Sequence, residues 1–340
     1  MADPPANPTL VAVSRGERIE SFHRGAAAVV GVDGALVAGW GDIERPVFIR
    51  STAKPLQALA LLESGAADAQ GVSAAELAIA CGSHGGAPAH VACVGDWLGR
   101  LGLGAGALVC GPHPPIDVAA ARALIRAGRP ETRLHNNCSG KHAGFLTVAR
   151  HLNLPLAGYG DADHPLQELV RRTVGEMSDC EIGPRMIATD GCGVPVFALP
   201  VRALARAYAR LAQPDGLAPD RAGALRRIAA AMSAHPVMVA GHGRFDTEII
   251  AASAGAIIVK AGAEGVYAAA IPRLGLGVVL KIDDGAKRAA EAAMAALLLA
   301  FARPGDTVRQ RLASFRDQPL FNTAHARVGA VRPYAEWPGG

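Results

Sequence analysis

Ala28-Val29-Val30-Gly31-Val32-Asp33-Gly34-Ala35-Leu36-Val37-Ala38-Gly39 sets two short apolar runs on either side of an Asp-Gly pair. That pattern is a strong hairpin signal, because the tight turn between paired strands needs residues that tolerate positive φ. Working outward, Leu10–Val13 and Val47–Ile49 repeat the apolar runs, with Arg15-Gly16 and Gly41-Asp42 as turn signals between them. The first fifty residues therefore predict an antiparallel β-meander that delivers the chain to Arg50-Ser51.

Beyond it the period changes from two to that of a helix. Helices are predicted near 52–63, 74–80, 88–101, 117–126, 140–151 and 164–177, and Ser73 with Glu76 forms a capping-box pair. A short strand, Met186–Thr189, precedes Asp190-Gly191-Cys192-Gly193, and further helices are predicted at about 200–213 and 219–233. Ile257–Lys260 and Leu276–Lys281 read as late strands that join the first sheet, and a helix over 286–302 follows. The expected fold class is α/β of the α+β kind, an antiparallel sheet built from N- and C-terminal strands and packed with helices, plus a helical lobe. We expect one domain over 1–340, with 1–50 and 250–302 as the sheet lobe and 51–249 as the mainly helical lobe carrying most site residues. The tail from Ala324 onward is weakly patterned and is expected to be mobile.

Composition narrows the function. The 340 residues are half hydrophobic and 19% charged, with a net charge of +4. That is a folded chain able to bury a large core. Its basic residues form no run and aromatics are sparse, so nucleic-acid binding has no support. No apolar segment is long enough to span a bilayer, and the N-terminus carries neither a basic nor an apolar leader pattern. The expected compartment is the cytoplasm. Cys81, Cys93, Cys110, Cys138, Cys180 and Cys192 are read as reduced thiols, not as a disulfide framework.

The chemistry begins at Arg50-Ser51-Thr52-Ala53-Lys54. A Ser-x-x-Lys pair at a helix start puts hydroxyl and amine on one face, so the amine can take the serine proton. It must be neutral to do so, which calls for burial or a neighbouring cation. Lysine is scarce, occurring only at Lys54, Lys141, Lys260, Lys281 and Lys287. Further polar clusters sit where predicted elements end: Cys81–Gly86 with Ser83 and His84, His135–His142, Thr189–Gly193, Gly241–Thr247, and Lys260–Gly265. Cys138 and Lys141 could face one point from a first helical turn, with Cys192 as third metal ligand and water as fourth. Singly, each has a bland reading: Ser51 as a helix N-cap, Ser83 and His84 as turn caps, Cys138 and Cys192 as small buried hydrophobes. Likewise Asp190 reads as a turn residue, Lys260 as a solvated strand end, and His242–Asp246 as an exposed loop.

Together and in this order, these clusters resemble the Rhizobium etli-type, or class 3, L-asparaginases over about Val11 to Ala286. The resemblance implies a fold similar to serine β-lactamases and penicillin-binding enzymes, a homodimer, and hydrolysis of L-asparagine to L-aspartate and ammonia. It also implies two Ser–Lys tandems, Ser51 with Lys54 and Ser83 with Lys260. A site usually described as zinc maps to Cys138, Lys141 and Cys192, and Arg50, His142 and Asp190 fall on positions around the substrate. On that basis Ser51 is the expected nucleophile and Lys54 its general base, with Ser83 and Lys260 relaying protons. Asp190 is expected to hold the substrate α-ammonium, and the zinc to support rather than perform the chemistry.

Three rivals remain. A β-lactamase or D,D-peptidase would show Ser-Asp-Asn and Lys-Thr-Gly besides Ser-x-x-Lys, and neither tripeptide occurs. Glutaminase is chemically closer, because one methylene separates the substrates. A non-catalytic metal-binding regulator would have lost Ser or Lys residues, whereas both tandems are intact.

Overall fold

A computed structural model describes residues 6–335, 337 and 338. They fall into two compact units. The first comprises the chain up to Thr52, Leu199–Gln213 and the chain from Ala256; the second comprises Ala53–Ala198 and Pro214–Gly255. The strands in chain order are β1 (Thr9–Arg15), β2 (Arg18–Gly31), β3 (Leu36–Trp40), β4 (Pro46–Phe48), β5 (Ile187–Thr189), β6 (Pro195–Pro200), β7 (Ile258–Ala261), β8 (Val266–Ile271), β9 (Leu276–Ile282), β10 (Gln318–Phe321) and β11 (Arg327–Pro333).

The first unit is built on an eight-stranded sheet of order β10-β11-β1-β2-β9-β8-β7, with β3 also pairing β2. Its pairings are antiparallel. The Asp33-Gly34 turn joins β2 to β3 as its residues predict, with Ala35 N–H bonded to the Asp33 carboxylate. β2 is long enough to serve two neighbourhoods. Its first half pairs β1, and Gly25–Gly31 pairs β9 in a register that sets Ala28 against Val279.

Every residue of β8 is buried, so both faces of the sheet are covered there. The helices Val201–Ala212 and Lys287–Phe301 do the covering. The second is rich in alanine, the best helix former, and buries Ala289 through Leu298 almost without a break. Close approach by the first depends on Gly277: a Cβ there would lie 1.9 Å from Ala205 O and 2.4 Å from Ala209 N.

Two expectations about this sheet are overturned. β4 lies outside it, because the chain turns after β3, with Asp42 N–H bonded to Asn7 and Arg45 N–H to Asp42. The tail is not a loose end: β11 lies between β10 and β1, with Val11 opposite Pro333 and Arg15 opposite Gly329.

In the second unit the helices Ala74–Ala80, Pro88–Arg100, Val118–Arg126, Ser139–His151, Pro165–Ser178 and Pro219–Ala234 lie close to the predicted spans. The capping box is present, with Ser73 Oγ accepting from Glu76 N–H and Glu76 accepting from Ser73 N–H. The helix Ser139–His151 is buried from Ser139 through Ala149, so it is covered all round rather than on one stripe, with Lys141 and His142 among its buried polar residues. The Asn136 side chain accepts from Cys138 N–H, and Ser139 N–H bonds to Asn136 O, which fixes where the helix begins. β5 and β6 form a hairpin around Asp190–Gly193, with Thr189 opposite Pro195. The helix Phe245–Ala252 begins within the His242–Asp246 segment, for which an exposed loop was the bland reading. Among the described residues no helix is long and apolar enough to cross a membrane.

Candidate active site

In the first unit the chain leaves β4 through Ile49 into a 3₁₀ turn, Arg50–Ala53. Arg50 holds φ +48°, a left-handed conformation that costs a non-glycine residue on the order of 1 kcal/mol or more and clusters at functional sites. Thr52 anchors the turn: its N–H and hydroxyl both bond Ile49 O, at 3.2 and 2.5 Å. Tyr208 donates to Thr52 O at 2.7 Å. This positions Ser51. The end of β7 lies alongside, since a Cβ on Gly262 would be 3.2 Å from Thr52 Cγ2. Lys260, on that strand, is fully buried and donates to Ala261 O at 2.6 Å.

In the second unit Lys54 opens the helix Lys54–Gln57, with Pro55 setting the next φ. Its amine is buried and has three oxygen neighbours: Gly82 O at 2.6 Å, Ser83 Oγ at 2.9 Å and Asn137 O at 3.3 Å. An ammonium would donate to all three. A free amine would donate to the two carbonyls and accept the Ser83 proton, so the same geometry serves both states of a proton-transfer group.

His84, next in the chain, accepts from Gly86 N–H through Nδ1, which leaves Nε2–H to donate to Ser139 Oγ at 2.9 Å. Burial, then the charges on His90 and Lys54, push its pKa well down, and the ring is neutral.

The segment His135–His142 brings three predicted residues into the same neighbourhood. Lys141 Nζ lies 2.9 Å from Cys192 Sγ, and Cys192 Sγ lies 3.7 Å from Asp190 Oδ2. Cys138 and Cys192 share a proton sulfur to sulfur. That bond, then the Lys54 and Lys141 charges, brings the first thiol ionisation of the pair, on Cys138, well below the usual range. Burial opposes the charge on Lys141, but Cys192 and Cys138 more than offset it and raise its pKa. No group of three His, Cys, Asp or Glu that could hold a metal occurs among the described residues. The predicted set differs in counting a lysine. Its donors, two soft sulfurs and an amine, suit zinc once the protons leave, so the residues present fit that ion.

His142 is buried and its pKa is pushed well down, by burial first and then by the Lys141 and Lys54 charges. Its Nδ1 lies 2.8 Å from the Tyr159 hydroxyl, which itself accepts from Val109 N–H at 2.9 Å. Nε2 has no partner. Assigning the phenol proton to Nδ1 leaves one orphan, Nε2–H; the opposite tautomer would orphan the phenol proton as well. The site therefore presents an imidazole N–H donor with nothing to bond.

Thus Lys54, Ser83, Cys138, Lys141, His142, Asp190 and Cys192 belong to the second unit and form one connected neighbourhood. Arg50, Ser51 and Lys260 belong to the first. Tyr159 and the carbonyls of Gly82 and Asn137 were not singled out by the sequence. The only signal for Tyr159 is a bulky ring between two glycines, Gly158 and Gly160.

A buried lysine amine against a serine hydroxyl is the arrangement on which serine–lysine hydrolase chemistry is built. The chain belongs to the L-asparaginase II family, whose profile matches residues 11–333, and it is accordingly an amidohydrolase. No curated protein shows a significant match. Similar solved structures include a β-lactamase from Mycobacterium bovis, at 18% identity over 82% of this chain and 95% of that one, TM-score 0.44. A putative β-lactamase from Bacteroides dorei aligns at 13% identity over 76% and 84%, TM-score 0.41. Simvastatin synthase from Aspergillus terreus aligns at 13% over 85% and 91%, TM-score 0.41. At these TM-scores the likenesses carry no weight for the chemistry.

Proposed function

We propose that this asparaginase-type amidohydrolase converts L-asparagine to L-aspartate and ammonia through a serine acyl-enzyme, with Lys54 as the central base. The observation that carries the reading is the buried Lys54 Nζ, 2.9 Å from Ser83 Oγ. Ser51 and Lys260 enter by the family resemblance alone.

In this scheme Lys54 takes the Ser51 proton as Oγ attacks the side-chain amide carbon. The tetrahedral intermediate collapses as ammonia leaves, carrying a proton relayed through Ser83. Water then attacks the acyl ester, returning the proton to Ser51 and releasing aspartate. Asp190 holds the α-ammonium, Arg50 draws the α-carboxylate, and the orphaned His142 Nε2–H donates to a substrate oxygen. Cys138, Lys141 and Cys192 would hold zinc, which when bound would fix these side chains in place. The family resemblance further supports a homodimer.

A second reading makes Ser83 the acylated residue, favoured by its direct contact with Lys54. The test is ammonia release from asparagine and glutamine by the wild type, with mass spectrometry of an acyl-enzyme trapped by a slow substrate. Acylation at Ser51 supports the first reading and acylation at Ser83 the second. Faster turnover of glutamine, or no amidase activity in a folded and zinc-loaded protein, would overturn the asparagine assignment.

A further inference from the structure

The segment Gly241-His242-Gly243-Arg244-Phe245-Asp246-Thr247 stands out in the sequence, yet the scheme above gives it no role. We infer that Arg244 is a positioning residue that holds the Ser83 backbone so that its hydroxyl meets the Lys54 amine. The inference rests on the reading that Ser83 belongs to the catalytic machinery.

Both peptide groups flanking Ser83 are fixed from the same region. Ser83 N–H donates to Val239 O at 2.7 Å. On the other side, Arg244 Nη1 donates to Ser83 O at 2.6 Å and to Ala240 O at 3.1 Å. One guanidinium nitrogen thus ties residue 83 to the strap that already accepts its N–H. Gly82 makes the contact possible, because a Cβ there would lie 2.5 Å from Met238 O and 2.8 Å from Val239 O. Meanwhile Lys54 draws on the preceding carbonyl, Gly82 O, and on Ser83 Oγ. Arg244 and Lys54 therefore grip consecutive carbonyls from two elements, and the hydroxyl between them has little freedom left.

Arg244 is itself held. It directly precedes the helix Phe245–Ala252. Gly241 N–H bonds Thr247 Oγ1 at 3.1 Å, Thr247 bonds Pro236 O at 2.9 Å, and Gly243 N–H bonds Glu248 at 3.1 Å. A guanidinium suits the task because its fixed fork of donors keeps its charge and direction. Misplacing a reacting group by about 1 Å costs about 10²-fold in rate.

The test compares Arg244→Ala, Arg244→Lys, Ser83→Ala and the double variant Ser83→Ala/Arg244→Ala, each confirmed folded by circular dichroism. We expect Arg244→Ala to lower kcat by about 10²-fold with KM for asparagine changed less than about threefold, and added guanidinium to restore part of the loss. The double variant should be no slower than Ser83→Ala alone, because a positioning residue has nothing left to position. If Arg244→Ala does not fold, Arg244→Lys carries the test, with a smaller fall in kcat expected. Wild-type kcat in the folded Arg244 variants, or losses that multiply in the double variant, would overturn the inference while leaving the proposed function standing. Full activity in Ser83→Ala would instead remove the Ser83 assignment on which it rests, and Ser51→Ala would then show whether the wider scheme survives.

Discussion

The Tyr159 hydroxyl donates to His142 Nδ1 across 2.8 Å, and the consequence is a buried imidazole N–H left without a partner on the far side of the ring. An unsatisfied buried donor is normally costly and rare. In the proposed scheme it is the donor to a substrate oxygen.

Tyr159→Phe should therefore release the His142 tautomer. We expect KM for asparagine to rise about fivefold, the weight of one hydrogen bond of about 1 kcal/mol. Nitrogen NMR of the imidazole should show mixed tautomers where the wild type shows one. A single unchanged tautomer would remove Tyr159 from the account.

Lys54→Met replaces the amine by a side chain of similar length. It strands the Gly82 and Asn137 carbonyls and takes away the proposed base. We expect kcat to fall by on the order of 10²–10⁴ and stability by about 1–3 kcal/mol. Urea unfolding and ammonia release measure the two separately.

Cys192→Ser tests the metal. Zinc affinity should fall by at least about tenfold, read by elemental analysis after dialysis. Turnover at saturating asparagine should persist with a raised KM if, as proposed, zinc would only hold side chains in place. Complete loss of turnover on thorough chelation would show that it performs the chemistry.

The buried His84 gives a pH prediction. Its pKa in the fold lies well below the ordinary value of 6.5, chiefly through burial. Above that value the ring is neutral in both states and the fold keeps its full stability. As the pH falls below it, the unfolded chain takes up a proton that the fold refuses, so stability drops by up to about 1.4 kcal/mol per pH unit. Urea midpoints at pH 7.5 and 5.5 should show the decline, and His84→Gln should lessen it by the His84 share, leaving the part that the buried His142 adds in the same sense. An equal decline in the variant would place its origin elsewhere.

Gly277→Ala tests the packing of the first unit. The added methyl meets backbone atoms of Ala205 and Ala209, which cannot rotate away. We expect a loss of about 3 kcal/mol or more, read as a fall in melting temperature.

The parts of the fold that local chemistry specifies were legible in the sequence. The Asp33-Gly34 hairpin, the Ser73–Glu76 cap and the alanine-rich helix near 287–301 follow from residues a few positions apart. β11 was not legible: Arg327–Pro333 mixes two arginines and a glycine with its apolar residues, and its pairing with β1 is decided by partners at the other end of the chain. The helix Phe245–Ala252 was missed because glycines and a charged turn precede it. At the site, motifs and resemblance named Lys54, Ser83, Cys138, Lys141, His142, Asp190 and Cys192, which the second unit brings into one neighbourhood. They did not name the backbone carbonyls of Gly82, Asn137 and Ser83, which no residue type announces.

The place of β11 also sets an order of assembly. β1 finds β2 within a few residues, but its other edge is closed only by a strand more than 300 positions later, Val11 facing Pro333. During synthesis that edge stays open, a row of unpaired amides and carbonyls able to recruit any passing strand. The unit that starts first is thus finished last, and its exposure to mispairing is set by how long translation takes to reach Pro333.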